Sequence, residues 1–430
     1  MVDVFGLMSE YVAVTARREK TLRGSNVALR AAGAIGLCLL ATLFLMSPAH
    51  GARPEASTWV TGWTVSQHAT GQTKLTNASV RLIARTAIPG DAVRVRLDNT
   101  FGTTPITFAA ASISLRLSGA AVAKSPIKPL TFEGKRVVTI PAGGTARSDT
   151  VALNFGAQQD LAISLFVVGS DIQPSQHTNA FVTSYVTENG AGDQTASFDG
   201  KAFNLRTTSM LWLKSLDVHT SWHVSAIVAF GDSITDGACS TLDAHDRWED
   251  VLSQRFLQQT PIRFAVLNEG IGGNTLRSDY KGIDTPPALD RLERDVLSHS
   301  GVSHVILFMG SNDINRGASA DQVIRSMQEI IGRVHAKGIK IIGTTMIPRH
   351  AFTAGAGRNR DKLENQIMVN AWMRGKSGFD GIIDFHQMLA RRDNVNLIEP
   401  IFDCGDGTHP SRAGHYLMGS SIDLAVFESR

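Results

Sequence analysis

The chain has 430 residues, 43% of them hydrophobic and 19% charged, with 42 Lys or Arg against 39 Asp or Glu. That length exceeds what one hydrophobic core usually organises, so two domains are expected. No segment is basic or acidic enough to serve as a nucleic-acid arm, and no such partner is expected.

Residues 1–52 stand apart. Arg17, Arg18, Lys20, Arg23 and Arg30 precede an apolar run from Ala31 to Met46, and Ser47-Pro48-Ala49-His50-Gly51-Ala52 follows. Basic, apolar and small-residue regions in that order predict a secretory signal, and with it a secreted or periplasmic protein. The apolar run is shorter than the ~20 residues a membrane span needs, which favours cleavage over an uncleaved membrane anchor. The segment holds five basic and three acidic residues, so the remainder carries 37 basic against 36 acidic and is nearly neutral. Of the three cysteines, Cys38 falls in this segment, leaving Cys239 and Cys404. An even number in an exported chain permits one disulfide. No Cys-x-x-Cys or His-Glu-x-x-His spacing occurs, and neither metal nor cofactor is expected.

Residues 55–223 read as an all-β sandwich or jelly-roll-like domain. Ser79–Ala84, Val93–Leu97, Ile113–Leu117, Val137–Ile140, Val151–Phe155 and Leu161–Phe166 are short strands, several alternating apolar with polar residues. Pro89-Gly90-Asp91, Pro141-Ala142-Gly143-Gly144 and Glu188-Asn189-Gly190 supply the turns. Trp59, Trp63 and Trp212 have faces flat enough to stack on sugar rings, although core packing is the commoner fate of aromatics.

Residues 224–430 switch to strands alternating with helices, the mark of an α/β domain with a parallel sheet. Strands are predicted at Ala226–Phe230, Phe264–Leu267, His304–Met309, Lys340–Thr344 and Gly381–Phe385. Helices are predicted at Asp246–Gln259, from Ser319 to Gly338, at Asp361–Arg374 and at Ala413–Glu428. Ser319 with Gln322 forms a capping box, and Val323, Met327, Ile330, Ile331 and Val334 make the buried stripe.

Ligands bind at the carboxyl ends of strands in such sheets. Three polar segments fall there: Gly231-Asp232-Ser233, then Asn268-Glu269-Gly270-Ile271-Gly272-Gly273-Asn274-Thr275, then Gly310-Ser311-Asn312-Asp313. Each alone reads equally well as a turn. A fourth, Asp403-Cys404-Gly405-Asp406-Gly407-Thr408-His409-Pro410, puts a carboxylate three residues before a histidine. That spacing lets Asp406 hold Nδ1–H and leaves Nε2 free to act as the base a serine hydroxyl needs.

In order, spacing and α/β context these four segments resemble the four sequence blocks of the SGNH (GDSL) hydrolase family of esterases and acylhydrolases, over roughly Ser225 to the C-terminus. The resemblance implies a three-layer α/β/α, flavodoxin-like sandwich. It makes Ser233 the nucleophile and first oxyanion donor, Gly273 the second donor (Gly272 if the alignment slips by one) and Asn312 the third. His409 becomes the general base and then acid, oriented by Asp406. Including the β domain, the mature chain resembles a subgroup of exported bacterial SGNH proteins. The rival α/β-hydrolase arrangement needs a Gly-x-Ser-x-Gly elbow, which Ser233-Ile234-Thr235 lacks.

If Ser233 and His409 meet, the loops bearing Cys239 and Cys404 converge, and a Cys239–Cys404 disulfide is predicted. Asp232 and Asp236 are expected to shape the nucleophile loop. Arg247 and Trp248 read as pocket or core residues, and Arg316 as a solvated side chain. The leading functional expectation is an exported serine esterase acting on a small-molecule or polysaccharide ester, such as an O-acetylated carbohydrate. A short-chain lipase or arylesterase is the alternative enzyme. From another class comes a carbohydrate-binding protein with a vestigial hydrolase domain.

Overall fold

The computed structural model describes residues 58–259, 261–277, 285–353 and 358–428. The signal expected over residues 1–52 lies outside them. No described helix is long and apolar enough to cross a membrane.

Pro54–Arg430 forms one compact unit. Its first part, from Thr58 to Thr220, is built of antiparallel strands and has no helix among the described residues. The long strands Ala78–Arg85, Ile106–Ser118 and Asp160–Val168 pair side by side in one sheet. Thr58–Thr64, Leu213–Thr220, Gly90–Asp98 and Val151–Phe155 form another in that order. Leu82 and Ile163 from the first sheet and Val93 and Val95 from the second belong to one buried apolar cluster. Trp212 is fully buried against Phe108, and Arg94 covers the ring of the half-buried Trp59.

The second part is a five-stranded parallel sheet: β1 (Ser225–Gly231), β2 (Phe264–Gly270), β3 (Val302–Phe308), β4 (Lys340–Thr344) and β5 (Gly381–Ile383), in the order β2-β1-β3-β4-β5. Side chains along β1 alternate between two cores, because successive strand residues point to opposite faces. Ala226, Val228 and Phe230 join Val323, Met327 and Ile330 of helix Ala320–His335 and Val369 and Met373 of helix Arg358–Arg374. Ile227 and Ala229 join Trp248, Leu252 and Phe256 of helix Trp248–Leu257 and Met418 of helix Arg412–Ser421. The chain order reverses at β1, with β2 on one side and β3 on the other. That opens a crevice at its carboxyl end, where the serine turn sits.

Several boundaries differ from expectation, three of them for a plain local reason. The last helix stops at Ser421 rather than Glu428, because Ile422 is extended and Asp423 caps a separate 3₁₀ turn, Leu424–Phe427. The fifth strand stops at Ile383, because Asp384 accepts from the Gln387 N–H and starts a short helix, Phe385–Leu389. The first long helix begins at Trp248, not Asp246, whose carboxylate instead accepts from the Thr241 N–H. A helical segment over Ala288–Leu297 was not expected.

That segment faces the β region across a buried layer of charge. Lys214 Nζ lies 2.7 Å from Asp295 Oδ1 and 4.0 Å from Asp98 Oδ2, and all three residues are at most 1% exposed. Arg291 and Arg294 also contact Asp295, at 3.4 and 2.7 Å. Burial works against ionisation of Asp295, but these three cations outweigh it and hold the carboxyl far below its ordinary range. On the β2 side, Glu269 accepts from Ser66 Oγ and pairs with His299 Nε2 at 2.7 Å.

Candidate active site

β1 runs straight into the site. Asp232 Oδ1 accepts from the Ile234 N–H at 3.1 Å and caps a single helical turn, Ser233–Asp236. Ser233 is therefore the first helical residue, and its own N–H has no acceptor among the described residues. The turn presses close to the end of β2: a Cβ on Gly270 would stand 2.2 Å from the Asp236 nitrogen. Glycine there is a packing requirement.

Ser233 Oγ lies 2.9 Å from His409 Nε2, and His409 Nδ1 lies 2.6 Å from Asp406 Oδ2. A carboxylate only accepts, so Nδ1 carries the proton and Nε2 is left to accept from the serine hydroxyl. The other Asp406 oxygen accepts from the Thr408 and His409 N–H groups, both at 2.8 Å, which fixes the carboxylate's angle. Partial burial opposes its charge, but the His409 ring and these N–H groups outweigh that and hold Asp406 below the usual carboxylate range.

Cys239 and Cys404 are joined in a disulfide with Cα atoms 6.2 Å apart. It ties the loop after Ser233 to the loop that carries Asp406 and His409, as expected from their convergence.

The second loop brings Gly273 to the cleft with φ +70°, a left-handed conformation that favours glycine, although a Cβ would meet nothing within 4 Å. Its N–H has no acceptor among the described residues. The neighbouring Gly272 N–H donates to Asp236 Oδ2 at 2.7 Å, so it is committed inside the protein. Asn312 reaches the same cleft from the segment after β3. Its amide donates to Asn274 O at 3.0 Å and, more loosely, to Asp232 Oδ2 at 3.3 Å. Burial lifts the Asp232 carboxyl to about 6, against the opposing pulls of the Ile234 N–H, His409 and Arg349.

Together Asp232, Ser233, Ile234, Gly273, Ser311, Asn312, Ile347, Arg349, Thr408 and His409 line a cleft of about 190 Å³. The structure thus brings Ser233, His409, Asp406, Gly273 and Asn312 to one place. Arg316 is solvent-exposed, Trp248 is buried against Phe385, and Arg247 donates to Ala180 O away from the cleft.

Two supporting residues escaped the sequence reading. Arg291 donates to Gly231 O, Glu269 O and Asn274 Oδ1 at 2.9–3.0 Å, binding the carboxyl ends of β1 and β2 to the loop that carries Gly273. Arg349 donates to Ser311 Oγ at 3.3 Å on the cleft wall. Neither sits in a motif. Arg291 lies on an unforeseen helix, and Arg349 begins a loop whose shape is not derivable from sequence.

Residues 229–417 match the model of the GDSL-like Lipase/Acylhydrolase family. They form a GDSL-like lipase/acylhydrolase domain, and the protein is a hydrolase. The GDSL-like domain has the strand order and serine turn just described. No curated protein matches the chain. Solved structures similar to it include a carbohydrate acetylesterase family member from Sinorhizobium meliloti, at 21% identity and TM-score 0.38, covering 47% of this chain and 97% of that one. An aryl esterase from M. smegmatis is 20% identical, with TM-score 0.35, covering 48% and 97%. A member of the lipolytic protein G-D-S-L family from Veillonella parvula is 21% identical, with TM-score 0.35, covering 46% and 95%.

Proposed function

We propose that the protein is a serine esterase that cleaves carboxylic esters through an acyl-enzyme on Ser233. One observation carries this reading: the unbroken chain from Ser233 Oγ through His409 to Asp406, opening on a cleft. In the proposed cycle His409 takes the Ser233 proton as Oγ attacks the ester carbonyl, and Asp406 stabilises the resulting imidazolium. The tetrahedral oxyanion forms beside the free Ser233 and Gly273 N–H groups, and Asn312 exchanges its long bond to Asp232 for one to that oxygen. His409 then protonates the leaving alcohol, and water attacking the acyl-enzyme by the same base restores Ser233.

A short acyl group, acetyl on a carbohydrate or other alcohol, is the substrate the cleft fits best. Of ten lining residues only Ile234 and Ile347 are aliphatic, and the volume of about 190 Å³ leaves little room for a long chain. The same proposal includes export through residues 1–52, which accords with a disulfide. It also includes a division into a β sandwich at 55–223 and a three-layer, flavodoxin-like catalytic domain at 224–430, supported by the 2-1-3-4-5 strand order.

A p-nitrophenyl ester series from acetate to palmitate tests it. Acetate should be cleaved best, with kcat/KM falling as the acyl chain lengthens; preference for palmitate would contradict the acyl assignment, and no cleavage at all would contradict the esterase. Asn312→Ala should lower kcat by about 10²–10³.

A further inference from the structure

One histidine of the β region reaches the nucleophile's turn. His177, on the short strand Ser175–His177, is 1% exposed. Its Nδ1 lies 2.8 Å from Ser66 O, and its Nε2 lies 2.9 Å from Asp236 Oδ1. A carbonyl and a carboxylate can only accept, so both ring nitrogens donate and His177 is an imidazolium paired with the Asp236 anion. Burial opposes that charge, but the Asp236 charge and hydrogen bond and the Ser66 carbonyl outweigh it and raise the imidazole above its ordinary value, with Arg247 pulling the other way. His68 packs edge-on against the ring, 4.8 Å between centroids, and burial, with His177 itself, lowers it to about 4, which keeps it neutral.

Asp236 closes the helical turn that Ser233 opens, and its other oxygen accepts from the Gly272 N–H. One carboxylate therefore joins the nucleophile's turn, the residue next to Gly273 and the β region. Without its cation, a nearly buried carboxylate is costly. It would turn toward water and release Gly272, and with it the loop that aims the Gly273 N–H.

We infer that His177 is a positioning residue for ester hydrolysis, contributed by the β region and acting through Asp236 on the Gly272–Gly273 oxyanion loop. This rests on the serine esterase reading above. It makes the β region part of the catalytic unit, since a GDSL-like domain without His177 keeps its triad and loses the counter-ion that sets its oxyanion loop.

Variants of the full chain test it, read by kcat and KM on p-nitrophenyl acetate with Tm measured alongside. His177→Gln places an amide nitrogen where Nε2 was and keeps the bond to Asp236. His177→Asn reaches only Ser66 O. We expect His177→Asn to lose kcat by roughly 10- to 10²-fold, the scale of a small misplacement of catalytic groups, with KM little changed. His177→Gln should recover most of that loss. Asp236→Ala should match His177→Asn, and the double variant should lose no more than either alone. His219→Gln, at a partly exposed histidine of the same β region, should leave kcat unchanged. Wild-type kcat in a folded His177→Asn, an equal loss in His177→Gln, or losses that multiply in the double variant would each overturn the inference. If His177→Asn does not fold, Asp236→Ala and His177→Gln decide the matter by the same criteria. Ser233→Ala, assayed in parallel, separates the two levels: turnover surviving there sinks the esterase reading, whatever His177 does.

Discussion

Two gatherings of charged side chains in this molecule, one at the cleft and one at the seam between the β region and the Ala288–Leu297 segment, have opposite consequences. In the cleft, Asp406 is 46% exposed at its side chain, and each of its oxygens has a defined task toward His409 or its loop. At the seam, Lys214, Asp98, Asp295 and Arg291 are 0–1% exposed and close on one another. The first group leaves a nitrogen free to take a proton and two N–H groups without acceptors. The second offers solvent almost nothing. Charged groups hold structure where they are buried against one another, and serve the proposed chemistry where a ring nitrogen is left facing a cleft.

The contrast breaks most cleanly at its catalytic end. Asp406→Asn should lower kcat by about 10⁴, the scale seen when the orienting carboxylate of such a triad is lost. Because Asp406 is exposed, its thermal unfolding should stay near wild type, and a large Tm loss would mean that the cleft is structural too. Lys214→Ala should do the reverse. It strands Asp98 and weakens Asp295 in the interior, at about 3–5 kcal/mol in urea unfolding, while kcat of the folded fraction stays within a few-fold. A kcat collapse without loss of stability would blur the two classes. Reduction of the Cys239–Cys404 bridge should cost least, about 2–4 kcal/mol of stability through the longer free chain it releases, read as a lower urea midpoint in reductant.

The cleft was far more legible than the seam. Ser233, Gly273, Asn312, Asp406 and His409 each follow a strand end or share one short loop, and the resemblance to the SGNH sequence blocks grouped them. Strand β4 and the helix capped by Ser319 and Gln322 were read where they lie, because their patterns are local. The disulfide followed from the requirement that Ser233 and His409 meet. His177 and Arg291 could not be found that way. Each acts through a partner 59 or 60 residues distant in sequence, across a tertiary contact that no period or spacing records. Their burial gave no signal either, since a lone histidine or arginine in sequence reads as surface. Even the glycine ambiguity needed structure: only the bond from Gly272 to Asp236 shows which of two adjacent N–H groups is free.

The central claim is that Ser233 is the nucleophile, and its most direct test is covalent. A serine-reactive phosphonate ester should inactivate the wild-type enzyme at one equivalent per chain, with the adduct mapped by mass spectrometry to the peptide bearing Ser233. It should leave Ser233→Ala, itself reduced in kcat by about 10⁶, unlabelled. Stoichiometric labelling at another residue, or a Ser233→Ala enzyme that hydrolyses p-nitrophenyl acetate at the wild-type rate, would contradict the account.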